Sequence, residues 1–156
     1  MLLRSSFLEA ARFAREARVD GYVSVGGGSV IDATKAMLMC LWMGLDSIEA
    51  MEPYRAGIDG AEGRPITHPA DPIRMIAIAT TLSASEYKGT AGVTYSATNA
   101  KQSFIHRLMT PRSVILDPAA TLDTPLWLLY ATGIRAVDHC VEGICSNEAS
   151  PYGDAS

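Results

Sequence analysis

Four groups of residues in this sequence have the types and spacing that chemistry needs. Gly26, Gly27 and Gly28 run directly into Ser29, with Asp32 and Lys35 following at three-residue steps. Thr80, Thr81, Ser83, Ser85 and Glu86 crowd one hydroxyl-rich stretch. Lys101 stands alone, and Arg135 and His139 lie four residues apart. Successive glycines let a backbone bend sharply and approach a ligand with no side chains in the way. A helix starting at such a bend turns its free amides and the positive end of its dipole toward the same point. That combination binds phosphate or pyrophosphate. Neither GxxxxGK[ST] nor a strict GxGxxG is present, so a plain strand-to-helix turn stands as the alternative. Asp32, three residues after Ser29, is spaced to return a capping hydrogen bond. Lys35 belongs either to the site or to a solvated helix face.

These groups need elements to hold them. Ser6-Phe7-Leu8-Glu9 has a capping-box pattern, and the apolar spacing that follows predicts an amphipathic helix to about Asp20. Tyr22 to Val25 predicts a strand that stops at the glycines. Ser29 to Met43 predicts a helix whose second half, from Ala36, is apolar all round and therefore buried on several sides. Gly44 to Pro72, rich in Gly and Pro, predicts a long irregular connection. Strands are expected at 73–79, around 92–95 and at 113–116, with a turn at 97–100. Thr124-Pro125 reads as an N-cap and first helical position. Thr132-Gly133 reads as an interruption before a helix to about Cys145, and Ser150-Pro151 as a further helix start. The order predicts a parallel α/β layer followed by helices.

Composition narrows the function classes. A 156-residue chain with 48% hydrophobic residues builds one modest core and is not disordered. Charged residues make up 19%, below the roughly 25% usual for a self-sufficient domain, so cover by another subunit or further chain is expected. Thirteen Lys and Arg against seventeen Asp and Glu leave a net charge of −4, which argues against nucleic acid and anionic membranes as partners. Cys40, Cys140 and Cys145 form no CxxC. That fits reduced thiols in a cytoplasmic protein better than a disulfide framework or a zinc finger.

Gly26-Gly27-Gly28-Ser29-x-x-Asp32-x-x-Lys35 resembles the nucleotide-binding signature of the iron-containing alcohol dehydrogenase superfamily. The turn Thr80 to Glu86, Lys101 ahead of Leu116-Asp117-Pro118, and Thr132-Gly133-x-x-Ala136-x-x-His139-x-x-Glu142 follow in that family's order. The resemblance implies an α/β fold. It comprises the C-terminal part of a parallel-sheet dinucleotide-binding domain over 1–118 and the first helices of an all-helical domain over 119–156, a fragment of a longer chain. It implies that Gly26, Gly27, Gly28 and Ser29, with Asp32, hold NAD or NADP. Thr80, Thr81 and Ser85 would line the adenosine and phosphate side, and Lys101 would sit near the ribose. The implied activity is hydride transfer between the nicotinamide and a small alcohol, aldehyde or oxo-acid, in a homo-oligomer. A truncated chain that keeps part of the nucleotide surface without catalysis is the alternative.

Metal-dependent members of that family carry an Asp and a His four residues apart on the Thr-Gly helix. This sequence has His139 but Arg135 in place of the Asp, and a guanidinium does not ligate a metal. The resemblance thus implies no tightly bound metal, with Fe or Zn through unconventional ligands as the competing reading. The Thr80–Glu86 turn is one residue shorter than the usual alcohol dehydrogenase form and is similar to the maleylacetate reductase version. On this reading Arg135 and His139 are the catalytic residues. Arg135 holds a substrate carboxylate or a developing oxyanion, and His139 donates the proton. The alternative is an Arg135 surface pair with Asp138 or Glu142 and a His139 held by the core. His68 and His106 have no ligand-like spacing and read as structural.

Overall fold

The computed structural model describes residues 4–56, 64–95 and 98–145. The helix start expected at Ser150-Pro151, Ala97 of the expected turn, and Gly57, Gly60 and Gly63 of the long connection lie outside them. Helix α1 spans Arg4–Glu16, so it begins before Ser6 and the capping-box pattern falls inside it. Its anchor is the buried stripe of Phe7, Leu8, Ala11 and Ala14. Strand β1 (Tyr22–Gly26) leads into α2 (Gly28–Met43), and a short α3 (Ile48–Met51) follows. Then come β2 (Met75–Ala79), β3 (Thr90–Tyr95), β4 (Ala100–Ile105), β5 (Ser113–Ile115) and α4 (Leu126–Ile144).

A parallel sheet runs in the order β1-β2-β5, with Val25 opposite Ile78 and Ala77 opposite Val114. The second half of helix α2 is apolar all round because the helix has cores on two sides. Ile31 and Leu38 pack on Met75, Ala77 and Ala79 of the central strand. Ala33, Ala36, Met39 and Cys40 pack with Phe7 and Ala11 of α1 and with Ala91, Val93 and Phe104. Each large apolar side chain buried this way stabilises by about 1.5–3 kcal/mol. The other face of the sheet presents Val23, Val25 and Ile76 to solvent, so the low charge content is visible as open apolar surface.

Three expectations need correction. Residues 100–105 were not expected as a strand, yet β4 pairs antiparallel with β3 as a sheet of its own. Gln102 and Phe104 point inward, two residues apart as strand geometry requires. Asn99, at φ 51°, supplies the left-handed turn residue. Nor does Thr132-Gly133 interrupt α4. The Thr132 hydroxyl folds back onto the carbonyls of Leu128 (2.9 Å) and Leu129 (3.0 Å), and a helical glycine costs only about 1 kcal/mol. Pro125 takes the N-cap position without a side-chain bond. Thr124 instead donates its hydroxyl to the Thr80 carbonyl at 2.7 Å.

The two structural histidines meet. Trp42, His68 and His106 stack edge to face, with ring centroids 5.3–6.1 Å apart. Nδ1 of His106 accepts the Leu108 amide, so the neutral ring caps the turn that follows. Burial first, then His68, Arg107 and Arg74, hold the His106 pKa below its ordinary 6.5. The unfolded chain therefore takes up a proton at a pH where the folded chain does not. This contribution to stability is present above pH 6.5 and is lost as pH falls through the lower folded value. His106→Asn keeps an acceptor for Leu108 and removes the proton uptake. Urea midpoints between about pH 7 and about pH 5 should fall less steeply in that variant; identical slopes would refute the assignment.

Candidate functional site

The bend between β1 and α2 is built by close approach. A Cβ on Gly27 would lie 2.9 Å from Thr81 Cγ2, and one on Gly28 would lie 2.6 Å from Ser83 Oγ. The hydroxyl-rich turn can therefore rest directly on the bend only because both residues are glycine. The Thr80 amide also donates to the Gly26 carbonyl at 3.1 Å. The helix begins at Gly28, one residue earlier than expected, with Gly27 at the N-cap and no side-chain cap. The Val30 and Ile31 amides donate to the Gly27 carbonyl (3.0 and 3.1 Å), which leaves those of Gly28 and Ser29 at the bend without intrahelical acceptors.

Asp32 does not cap. Its carboxylate reaches across to the neighbouring elements, accepting Lys35 Nζ (3.3 Å), the Gly92 amide (3.1 Å) and the Ser85 hydroxyl. Lys35 is no solvated residue either. It is fully buried, and its ammonium donates to the carbonyls of Ser85 (2.7 Å) and Thr90 (2.9 Å). Burial lowers its pKa, and the Asp32 carboxylate opposes that shift. This buried pair ties α2 to both the hydroxyl turn and β3.

One cleft of about 850 Å³ collects the rest. Gly27, Gly28, Ser29, Asp32, Thr80, Thr81, Ser85, Lys101, Arg135 and His139 all line it, whereas Gly26 is not in the lining and a Cβ there would meet Val30 at 2.8 Å. Lys101 lies across Gly92, where a Cβ would come within 2.4 Å of Lys101 Cε. Sequence reasoning missed Lys88, Gly92 and Thr124, which also line the cleft. For Gly92 the signal was available, because a glycine inside a strand marks a close approach. Arg135 is exposed and His139 half-buried. Among the described residues Arg135 forms no ion pair, with Asp138 and Glu142 included.

The cradle left by Gly27 and Gly28 and the free amides of α2 fit the pyrophosphate of a dinucleotide. The described residues alone supply no donor set for a metal there. Its neighbourhood would hold the His139 imidazole and a guanidinium one helical turn away on the same face. Among the described residues no three His, Cys, Asp or Glu side chains converge on a point.

A glycine bend from a parallel strand into a helix, facing a hydroxyl-rich turn and a helix that carries Arg135, is the architecture of dinucleotide-binding α/β domains. The model of the iron-containing alcohol dehydrogenase family matches residues 4–118. The chain belongs to that family. It is 34% identical over 142 residues to dehydrogenase FUM7 of Gibberella moniliformis, covering 89% of this chain and 34% of the relative. Against 4-hydroxybutyrate dehydrogenase of Cupriavidus necator it is 34% identical over 146 residues, covering 94% of this chain and 36% of that one. The iron-containing alcohol dehydrogenase of Thermococcus thioreducens superposes with a TM-score of 0.81 at 25% identity, covering 97% of this chain and 39% of that structure. The chain thus spans about a third of the length of the curated relatives it matches.

Proposed function

We propose that this chain forms the nucleotide side and the first catalytic helix of an NAD(P)-dependent oxidoreductase that acts on a small alcohol, aldehyde or oxo-acid. Within the family we place it with the maleylacetate reductase type, with 1–118 as the nucleotide domain and 119–156 opening a helical one. The observation that carries this reading is the single cleft, which draws together the glycine bend, the hydroxyl turn, Lys101 and the Arg135–His139 face. The 4-hydroxybutyrate dehydrogenase among its relatives acts, by its name, on a hydroxy acid, in keeping with a cationic substrate end.

Gly27, Gly28 and Ser29 would hold the pyrophosphate on the α2 amides, and Thr80, Thr81 and Ser85 the adjoining phosphate and adenosine side. Lys101 would meet the ribose. A bound nicotinamide supplies or accepts the hydride. His139 moves the proton at an imidazole nitrogen, a group that can both donate and accept one. Arg135, with five donors in a rigid fork, holds the substrate's anionic end. The metal that the family name carries has no donor set among the described residues, so no step is assigned to it.

Titration with NADH and with NADPH, followed by nicotinamide fluorescence, tests this reading. Saturable binding of one of them is expected, weakened roughly tenfold or more in Gly28→Ala, where the new methyl group crowds Ser83. Retention of neither nucleotide would end the oxidoreductase assignment.

A further inference from the structure

Helix α4 raises a problem of placement. It carries Arg135 and His139, yet none of its residues is buried. Among the described residues, two side-chain hydroxyls join it to the cleft. The Leu82 amide donates to Thr132 Oγ1 at 3.1 Å, and Thr124 Oγ1 donates to the Thr80 carbonyl at 2.7 Å. Both ties end on the turn whose Thr81 and Ser83 rest on Gly27 and Gly28. A hydroxyl donates once and accepts twice, so Thr132 can bond back into its own helix and still receive Leu82. Beside it, a Cβ on Gly133 would lie 3.2 Å from Leu82 Cδ1, so the glycine admits that side chain. Thr132, Arg135 and His139 stand at i, i+3 and i+7, one face of a helix.

We infer that Thr132 is a positioning residue: its hydroxyl latches α4 to the Leu82 amide and so turns the Arg135–His139 face into the nucleotide cleft. Its bearing on turnover rests on the proposed oxidoreductase reading; its hold on α4 does not. A misplacement of about 1 Å at reacting groups can cost roughly a hundredfold in rate.

The test compares Thr132→Val, which keeps the shape and loses the acceptor, with Thr132→Ser, which keeps the acceptor. Three quantities are read: NADH affinity, hydrogen exchange of the Leu82 amide, and kcat against KM on a small aldehyde. In Thr132→Val, Leu82 exchange should quicken roughly tenfold, as for a lost hydrogen bond. In the same variant kcat should fall roughly 10–100-fold while NADH affinity stays within about twofold. Thr132→Ser should restore both exchange and kcat. Unchanged Leu82 exchange in Thr132→Val would overturn the latch, as would equal losses in Val and Ser. Loss of NADH affinity in step with kcat would also overturn it, by placing Thr132 in the cofactor wall. Should the unmodified protein retain no NADH, the oxidoreductase reading fails, and the exchange comparison still decides whether the hydroxyl holds α4.

Discussion

Lys35→Met is expected to destabilise the fold by about 3 kcal/mol, a cost set by breaking a buried ion pair on one side only. The Lys35 side chain has no exposure and that of Asp32 has 17%. Methionine removes the ammonium that satisfies Asp32 and the carbonyls of Ser85 and Thr90. Asp32 keeps the Gly92 amide and the Ser85 hydroxyl, which holds the loss to the lower part of the usual range. Adding Asp32→Asn should recover part of it, because the stranded charge disappears with its partner. The pH dependence has a definite sign. Burial lowers the Lys35 pKa from 10.5, so as pH rises toward that value the unfolded chain holds more protons than the folded one. Wild-type stability from this group therefore grows with alkalinity, and its advantage over Lys35→Met should widen. Urea unfolding at neutral and alkaline pH reads both effects. A variant within about 1 kcal/mol of wild type would mean that the pair does not join α2 to the turn, whereas a gap that narrows would mean that the attraction of Asp32 outweighs burial at Lys35.

What the sequence made legible follows from where each signal acts. The β1 run ends at three glycines and the second half of the α2 run is apolar all round, and both are local patterns with one reading, so strand, bend and buried helix are where they were expected. The hydroxyl turn and Lys101 lie far from that bend in the chain, and the family pattern joined them before any contact was visible. Local signals failed where a tertiary partner decided the outcome. Asp32 has a capping spacing, but Ser85, Gly92 and Lys35 offer its carboxylate more than a helix end does. Thr124 and Thr132 read as a cap and a break, and both hydroxyls are instead bound to the 80–82 turn. Strand β4 was hidden because its inward pair includes Gln102, a polar residue in an apolar position. His68 and His106 are 38 residues apart in number, and no spacing rule brings their rings together around Trp42.

The cleft's cations make the sharpest claim about substrate. Lys88, Lys101 and Arg135 line it against two acids, Asp123 and an Asp32 already committed to Lys35, so cations are in excess. Two of these cations, Lys88 and Lys101, lie on the β3–β4 side, where the proposed nucleotide would rest. Arg135 projects from α4 with no ion pair among the described residues, one turn from His139. A charge-assisted, two-pronged contact from such a group contributes about 1.5–3 kcal/mol. Arg135→Ala should accordingly lower kcat/KM for a carboxylated aldehyde roughly 10–100-fold, while a neutral aldehyde of equal length changes little. Arg135→Lys should recover only part, since an ammonium keeps the charge and loses the fork. His139→Gln should instead slow both substrates alike, because the proton is needed whatever the substrate's far end carries. Steady-state kinetics on the matched pair separate the roles. Equal losses on charged and neutral aldehydes in Arg135→Ala would assign the guanidinium to the developing oxyanion rather than to a carboxylate, and the preference for acids would have to come from elsewhere in the cleft.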